Sequence, residues 1–272
     1  MRLLFCGDVV GRAGRKVLLE HLPNLRTELG LDVVIVNGEN AAGGFGITPA
    51  ICQDFFAAGA DLITTGNHVF DQREIIPLLE RDARLIRPFN MMPGTPGRGS
   101  AELRLVDGRR LVVLQIMGRL FMGPYDDPFR ALEGELAKHT LGATVHALVV
   151  DLHAEATSEK MALGHLADGR ASAVIGTHTH VPTADAWIMP AGTAYITDVG
   201  MTGDYDSVIG MDKTVSLDRF RSHVPAARNA PALGEATLCA VYLEIDDRTG
   251  LARRIEPLRL GARLASALPR DI

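Results

Sequence analysis

The chain opens with an alternation that leaves few folds available to it. Leu3 to Cys6 is a short apolar run bounded by Gly7, and Val33-Val34-Ile35-Val36 is a β-branched run ended by Asn37-Gly38. Leu62-Ile63-Thr64-Thr65 is a third run, ended by Gly66. Runs this short, closed by turn residues, read as buried strands. Between the first two, Arg12 to Leu29 carries Val17, Leu18, Leu22 and Leu25 at roughly helical spacing. Between the second and third, Thr48-Pro49 opens a helix, with Thr48 as N-cap and Pro49 in the first turn. Such a βαβαβ rhythm argues for a sheet covered by helices.

The middle of the chain changes character. Glu102 to Val106 and Leu111 to Ile116 flank Asp107-Gly108, a hairpin signal, and Thr237 to Ile245 and Leu251 to Leu260 flank a second turn, Asp246 to Gly250. His146 to Asp151, Ala173 to Gly176 and Ala194 to Thr197 read as buried strands. Antiparallel elements therefore join a partly parallel start, giving an α/β chain with mixed sheets. There is no internal repeat. The Pro/Gly-rich stretch Arg87 to Gly99 is a long surface loop rather than a linker, because the chemistry-bearing residues lie on both sides of it. Residues 1–272 are thus expected to form one domain.

Composition narrows the function classes. At 47% hydrophobic residues the chain has ample material for a core. A net charge of -5 gives no basic signature, so bulk coating of nucleic acid is not expected. No run approaches the roughly 18 apolar residues of a membrane helix, and the apolar run after Met1 is too short for a signal peptide. Cys6, Cys52 and Cys239 sit far apart in apolar stretches and read as buried, reduced thiols. A cytoplasmic protein is expected, and a homo-oligomer is left open.

The most informative pattern is where the metal-capable residues sit. Asp8 follows the first strand, Glu39-Asn40 the second, and Asn67-His68 the third. His153 follows the His146 to Asp151 strand, and His178-Thr179-His180 the Ala173 to Gly176 strand. Ligands in open α/β sheets bind outside the carboxyl ends of the strands. Singly, each has an ordinary reading: Asp8 a turn or helix cap, Glu39-Asn40 a solvated loop, Asn67-His68 a turn with a surface histidine, and His153 a satisfied histidine. An extended His-x-His would project both imidazoles to one side, as chelation requires. His21, His139, His146, His165 and His223 lack such context and read as structural or surface residues. Together the set offers two carboxylates, two amides and three imidazoles besides His68. That mixture suits manganese, iron or zinc rather than calcium, and the absence of cysteine argues against a structural zinc site.

Asp8, Glu39, Gly66-Asn67-His68, His153 and Gly176-Thr177-His178-Thr179-His180 resemble the ordered motifs of calcineurin-like metallophosphoesterases. Gly7-Asp8-Val9-Val10-Gly11, Asn37-Gly38-Glu39-Asn40 and Thr197-Asp198-Val199-Gly200-Met201-Thr202-Gly203 are similar to the YmdB-type branch, and the resemblance spans essentially the whole chain. It implies a layered α/β/β/α sandwich, a dinuclear centre, and phosphodiesterase activity that includes 2′,3′-cyclic nucleotides. The wider family's first motif, Asp-x-His, carries Val10 here, and its bridging Asp is Glu39 here; the branch supplies the missing contact from the position of Asn40. The resemblance therefore implies one metal on Asp8, Glu39, Asn40 and His180, and a second on Glu39, Asn67, His153 and His178, with Glu39 bridging.

Metals about 3.5–4 Å apart can bind a bridging hydroxide and stabilise both the attacking and the leaving oxygen of an in-line displacement. His68, beside a ligand, then has the natural role of protonating the leaving oxygen of a small phosphodiester or nucleotide. Arg87, Arg98 and Arg119 are substrate-holding candidates from loop position alone. A phosphomonoesterase or nuclease on the same scaffold, or a metal-bound regulatory protein with little turnover, are the rival readings.

Overall fold

In a strand, successive side chains point to opposite faces, so a strand buried on both sides must lie inside a layered structure. The first strand, β1 (Arg2–Cys6), meets that condition: Leu3, Leu4, Phe5 and Cys6 are all buried. The computed structural model describes residues 1–222 and 228–269. After β1 come α1 (Gly11–Glu28), β2 (Val33–Asn37), α2 (Pro49–Ala57), β3 (Leu62–Thr64), α3 (Ile76–Arg81), β4 (Ser100–Arg104) and β5 (Arg110–Met117). Then follow α4 (Pro128–Leu136), β6 (Ala147–His153), α5 (Thr157–Ala167), β7 (Ala173–Thr177), β8 (Trp187–Ile188), β9 (Ala194–Ile196) and β10 (Gly203–Asp204). The last elements are α6 (Lys213–Arg221), β11 (Ala236–Ile245) and β12 (Ala252–Gly261).

Among the described residues these strands form two six-stranded sheets. In the first, β1, β2 and β3 are parallel; β11 pairs antiparallel with β1, β10 and β12. In the second, β5, β6, β7 and β9 are parallel, with β4 and β8 as antiparallel edges. Both expected hairpins form, β4–β5 and β11–β12. Thr48 caps α2, its hydroxyl accepting from the Ile51 amide at 3.3 Å, with Pro49 in the first turn.

Alternation then builds the layers. Leu4, Cys6, Val34 and Val36 pack outward against Val17, Leu18, Leu22, Cys52 and Phe55 of α1 and α2. Leu3, Phe5, Val33 and Ile35 point inward, onto Leu111, Val113, Ala147, Val149, Ala173 and Ile175 of the other sheet. The outer face of that sheet, with Leu114, Leu148, Val150 and Val174, is covered by Leu132, Leu136, Leu163 and Ala167 of α4 and α5. The result is an α/β/β/α sandwich. Cys6, Cys52 and Cys239 are buried and unbridged. Among the described residues no helix is long and apolar enough to cross a membrane. His146 accepts at Nδ1 from the Arg110 amide (3.0 Å), His165 is exposed, and His21 and His139 are partly exposed; His223 lies outside the described residues.

The inter-sheet layer changes chemistry at its carboxyl end. Continuing the same alternation, the inward positions become Asn37, Gln115, Asp151, His153 and Thr177, all fully buried. Asp151 joins them: Oδ2 accepts from Asn37 Nδ2 at 3.2 Å and from Gln115 Nε2 at 3.0 Å, and Oδ1 accepts from Thr177 Oγ1 at 2.7 Å. Asn37 comes from one sheet and the other four from its partner, so this buried polar plate ties the sheets together beneath the loops that carry the candidate site.

Candidate metal centre

Each loop delivers its side chain through a local constraint. After β1, Gly7 passes so close to the 197–203 segment that a Cβ would stand 1.8 Å from the Gly200 carbonyl oxygen. That approach drives Asp8 fully inside, where Oδ2 accepts from the His178 amide at 3.3 Å and Oδ1 has no hydrogen-bond partner. A buried carboxylate oxygen without a donor is costly in a dry interior, and burial lifts the Asp8 carboxyl to about 6 against the pull of the neighbouring His180 and His153. After β2, Asn37 Oδ1 accepts from the Glu39 amide (3.1 Å), turning Glu39 inward. Asn40 donates Nδ2 to the Gly44 carbonyl at 2.9 Å, which leaves Oδ1 facing His180 Nε2 at 3.2 Å. After β3, Gly66 is a necessity: a Cβ there would lie 2.0 Å from Glu39 Oε2 and 2.5 Å from His153 Nε2.

The three imidazoles arrive from the second sheet. His153 is the last residue of β6 rather than a residue beyond it, because its ladder with Met117 and Thr177 continues to that point. His153 Nε2 stands 3.1 Å from Glu39 Oε1, 3.1 Å from Asn67 Oδ1 and 3.2 Å from His178 Nδ1. The other nitrogen of each ring is already engaged. His153 Nδ1 meets Thr177 Oγ1 at 2.9 Å, His178 Nε2 meets Glu155 Oε2 at 3.2 Å, and His180 Nδ1 donates to the Ile209 carbonyl at 2.8 Å. A ring that donates one N–H outward keeps the other nitrogen for a metal.

The donor atoms therefore fall into two groups that could each hold a metal ion, Asp8–Glu39–His180 and Glu39–His153–His178, within 4.8 Å in each case. Glu39 belongs to both. Asn40 adjoins the first and Asn67 the second. Electrostatics fit the same use. Burial pushes the Glu39 carboxyl up, but His153 outweighs it and holds Glu39 at about 2. Burial and the neighbouring His153 push His178 down to about 3, leaving a neutral imidazole.

One expectation about local geometry is corrected. The His178-Thr179-His180 segment is not extended: φ is +91° at His178 and +66° at His180, both left-handed. The turn sends one imidazole to each donor group instead of both to one side. Left-handed non-glycine residues cost of order 1–3 kcal/mol each and need external support. Asp198 supplies it, accepting from the Thr179 amide (3.0 Å) and hydroxyl (2.7 Å).

A family model for YmdB-like proteins matches residues 4–258. The chain belongs to the YmdB-like family. It is 48% identical over 256 residues to a Bacillus subtilis protein named 2′,3′-cyclic-nucleotide 2′-phosphodiesterase, covering 94% of this chain and 96% of that one. A Thermus thermophilus crystal structure superposes with a TM-score of 0.90 at 46% identity, covering 97% of this chain and all of the other. A Mycoplasma pneumoniae structure described as a phosphatase gives a TM-score of 0.89 at 32% identity over 96% of this chain and 93% of its own.

Within this YmdB-like chain, His68 stands at the rim, half-buried, with Nδ1 2.8 Å from Asp71 Oδ2 and the Phe45 ring edge-on at 5.1 Å. Its backbone amide donates to Glu39 Oε2 at 3.3 Å, so ring and metal-capable group share one short segment. Arg87 does not face the site: its guanidinium is spent on the Pro88, Phe89, Thr95 and Pro96 carbonyls and so shapes the loop. Arg98 donates to the Glu80 carbonyl at 3.5 Å, and Arg119 is exposed. Sequence reasoning missed Asp71, Glu155, Thr177 and Asp198 as partners of the site. Asp71, three residues beyond His68, is the one that helix-like spacing could have flagged.

Proposed function

We propose that the chain is a metal-dependent phosphodiesterase that opens nucleoside 2′,3′-cyclic phosphates, the substrate class for which its Bacillus subtilis relative is named. The observation that carries this reading is the pair of donor groups sharing Glu39 in a largely buried polar cluster. In this reading Asp8, Glu39, Asn40 and His180 would hold one ion, and Glu39, Asn67, His153 and His178 would hold the other, Glu39 being common to both sets. The mixed oxygen and nitrogen donors favour iron, manganese or zinc. Bound ions supply Lewis acidity toward phosphate oxygens and an activated water near neutral pH.

The protein's own residues do the rest. The carboxylates and amides of the first sheet's loops present oxygen donors, and the partners of His153 and His180 fix which ring nitrogen each one offers. His68 protonates the O2′ leaving oxygen from Nε2, while Asp71 fixes the ring through Nδ1. A sugar alkoxide needs that proton, whereas nitrophenolate leaves as a stable anion. His68→Ala should therefore lose about 10²–10⁴-fold in kcat on adenosine 2′,3′-cyclic phosphate. It should keep far more of its rate on bis(p-nitrophenyl) phosphate, at unchanged metal content. Equal losses on both substrates would make His68 a phosphate binder; loss of metal would make it a ligand. A wild-type enzyme that hydrolyses only phosphomonoesters in the same panel would overturn the diesterase reading.

A further inference from the structure

A cleft of about 340 Å³ opens beside His68, lined by Phe45, Asp71, Gln72, Arg219, Arg228 and Asn229. Phe45 and Asp71 are the two side chains that hold the His68 ring, so the cleft adjoins that ring. Gln72 Nε2 donates to the Phe45 carbonyl at 2.9 Å and fixes that wall. The Asp71 carboxylate is engaged by His68. Arg219 and Arg228 face it without an ion pair or hydrogen bond among the described residues.

A larger cleft, about 700 Å³, contains Arg26, Arg84, Arg104 and Arg109, and each of those is paired, with Asp61, Asp82, Glu102 and Asp32 respectively. The cleft at His68 thus carries two unneutralised guanidinium groups against one committed carboxylate. Asn229, on the same wall, keeps Oδ1 out of solvent with no hydrogen-bond donor to it.

We propose that this cleft binds a second phosphate, on the 5′ side of the nucleoside whose 2′,3′-cyclic phosphate is opened. The inference rests on the reading of His68 given above. In a cyclic phosphate the leaving oxygen stays on the sugar, so the sugar and its substituents must extend from His68 into the adjoining space. Two free guanidinium groups select an anion there, because arginine pairs with phosphate by charge-assisted, bidentate hydrogen bonds. The preferred substrate is therefore a cyclic nucleotide that also carries a 5′-phosphate, either as a free nucleotide or as the 3′ end of an RNA strand.

The test compares adenosine 2′,3′-cyclic phosphate with and without a 5′-phosphate, and an adenylyl dinucleotide ending in the cyclic phosphate. Wild type should favour the 5′-phosphorylated nucleotide by about tenfold in kcat/KM, mainly through KM, and less so at high salt. In Arg219→Ala/Arg228→Ala the ratio should fall to about one; both side chains are exposed, so the exchange leaves the core intact. The same gain on the dinucleotide identifies an RNA end as an accepted source, and a gain confined to the 5′-monoester identifies the free nucleotide. Equal KM values in wild type, or a preference that survives the double exchange, would overturn the inference. Calorimetry with adenosine 3′-phosphate and adenosine 3′,5′-bisphosphate separates the two failures, since it needs no turnover. If neither cyclic substrate is hydrolysed, the diesterase reading falls, and tighter binding of the bisphosphate, lost in the double variant, still decides the cleft.

Discussion

At His153 the choice between two ring nitrogens is made by one hydroxyl. Thr177 has a single O–H, and it points at Asp151 Oδ1, 2.7 Å away. Its oxygen can then only accept from His153, so the proton on that side of the ring sits on Nδ1 and Nε2 is the nitrogen offered to a metal. Asp151, whose carboxyl burial pushes upward, is the fixed end of this relay. Thr177→Val keeps the shape but leaves Nδ1–H with no acceptor, and metal affinity should drop by about 10–100-fold. Thr177→Ser, which restores the hydroxyl, should recover most of it. Competition with a chromogenic chelator measures both. A valine variant that binds metal like wild type, or a serine variant as weak as valine, would leave Thr177 a packing residue only.

α5 carries a lysine at a position that an amphipathic helix would give to leucine. Lys160 is fully buried, and its Nζ donates to the Thr177 carbonyl (2.7 Å) and to Asp198 Oδ2 (2.9 Å). Asp198 in turn clamps the left-handed His178-Thr179-His180 turn. Removing one partner of a buried pair costs about 3–5 kcal/mol, because a charge is left uncompensated. Asp198 keeps donors from Thr179 and Gly200, so Lys160→Met should sit at the lower end, read by urea unfolding of metal-free protein. A loss under about 1 kcal/mol would show that the pair does not hold the turn. The same lysine explains why α5 was not legible in the sequence: it interrupts the apolar stripe on which a helix reading depends. β8 and β10, two residues each, are shorter than any periodicity. β1, β2 and β3 were legible because they are buried on both faces and read as unbroken apolar runs. The residues grouped around the centre were legible for a related reason, since each closes or follows such a run. The bonds made by Asp151, Thr177, Lys160 and Asp198 were not, because their partners come from distant segments and no spacing records them. The His178-Thr179-His180 turn misled because a three-residue pattern carries no information on φ.

Across the whole molecule the two sheets contribute different chemistry to one seam. The first sheet's loops bring only oxygen donors, Asp8, Glu39, Asn40 and Asn67, and the second sheet brings the nitrogens, His153, His178 and His180. Ions held there would cross-link the sheets, so metal loading should stabilise the entire sandwich by mass action, and a chelator should lower Tm. The size of that effect should depend on pH through His153. Burial pushes its pKa down, but Glu39 and Asp8 outweigh burial and hold it up at about 9, above the ordinary 6.5. In the metal-free protein a raised histidine contributes stability that is fully present below about 6.5 and is lost as pH rises through about 9. A metal ion must displace that same proton from Nε2, so its affinity rises over the same window, by about tenfold per pH unit for one proton released. Metal-free stability therefore falls, and metal-dependent stabilisation grows, as pH goes up. The difference in Tm between manganese-loaded and chelator-treated protein should widen steadily from pH 6 to pH 8. A gap that stays flat, or narrows, across that range would show that His153 does not release a proton on metal binding and is not a ligand.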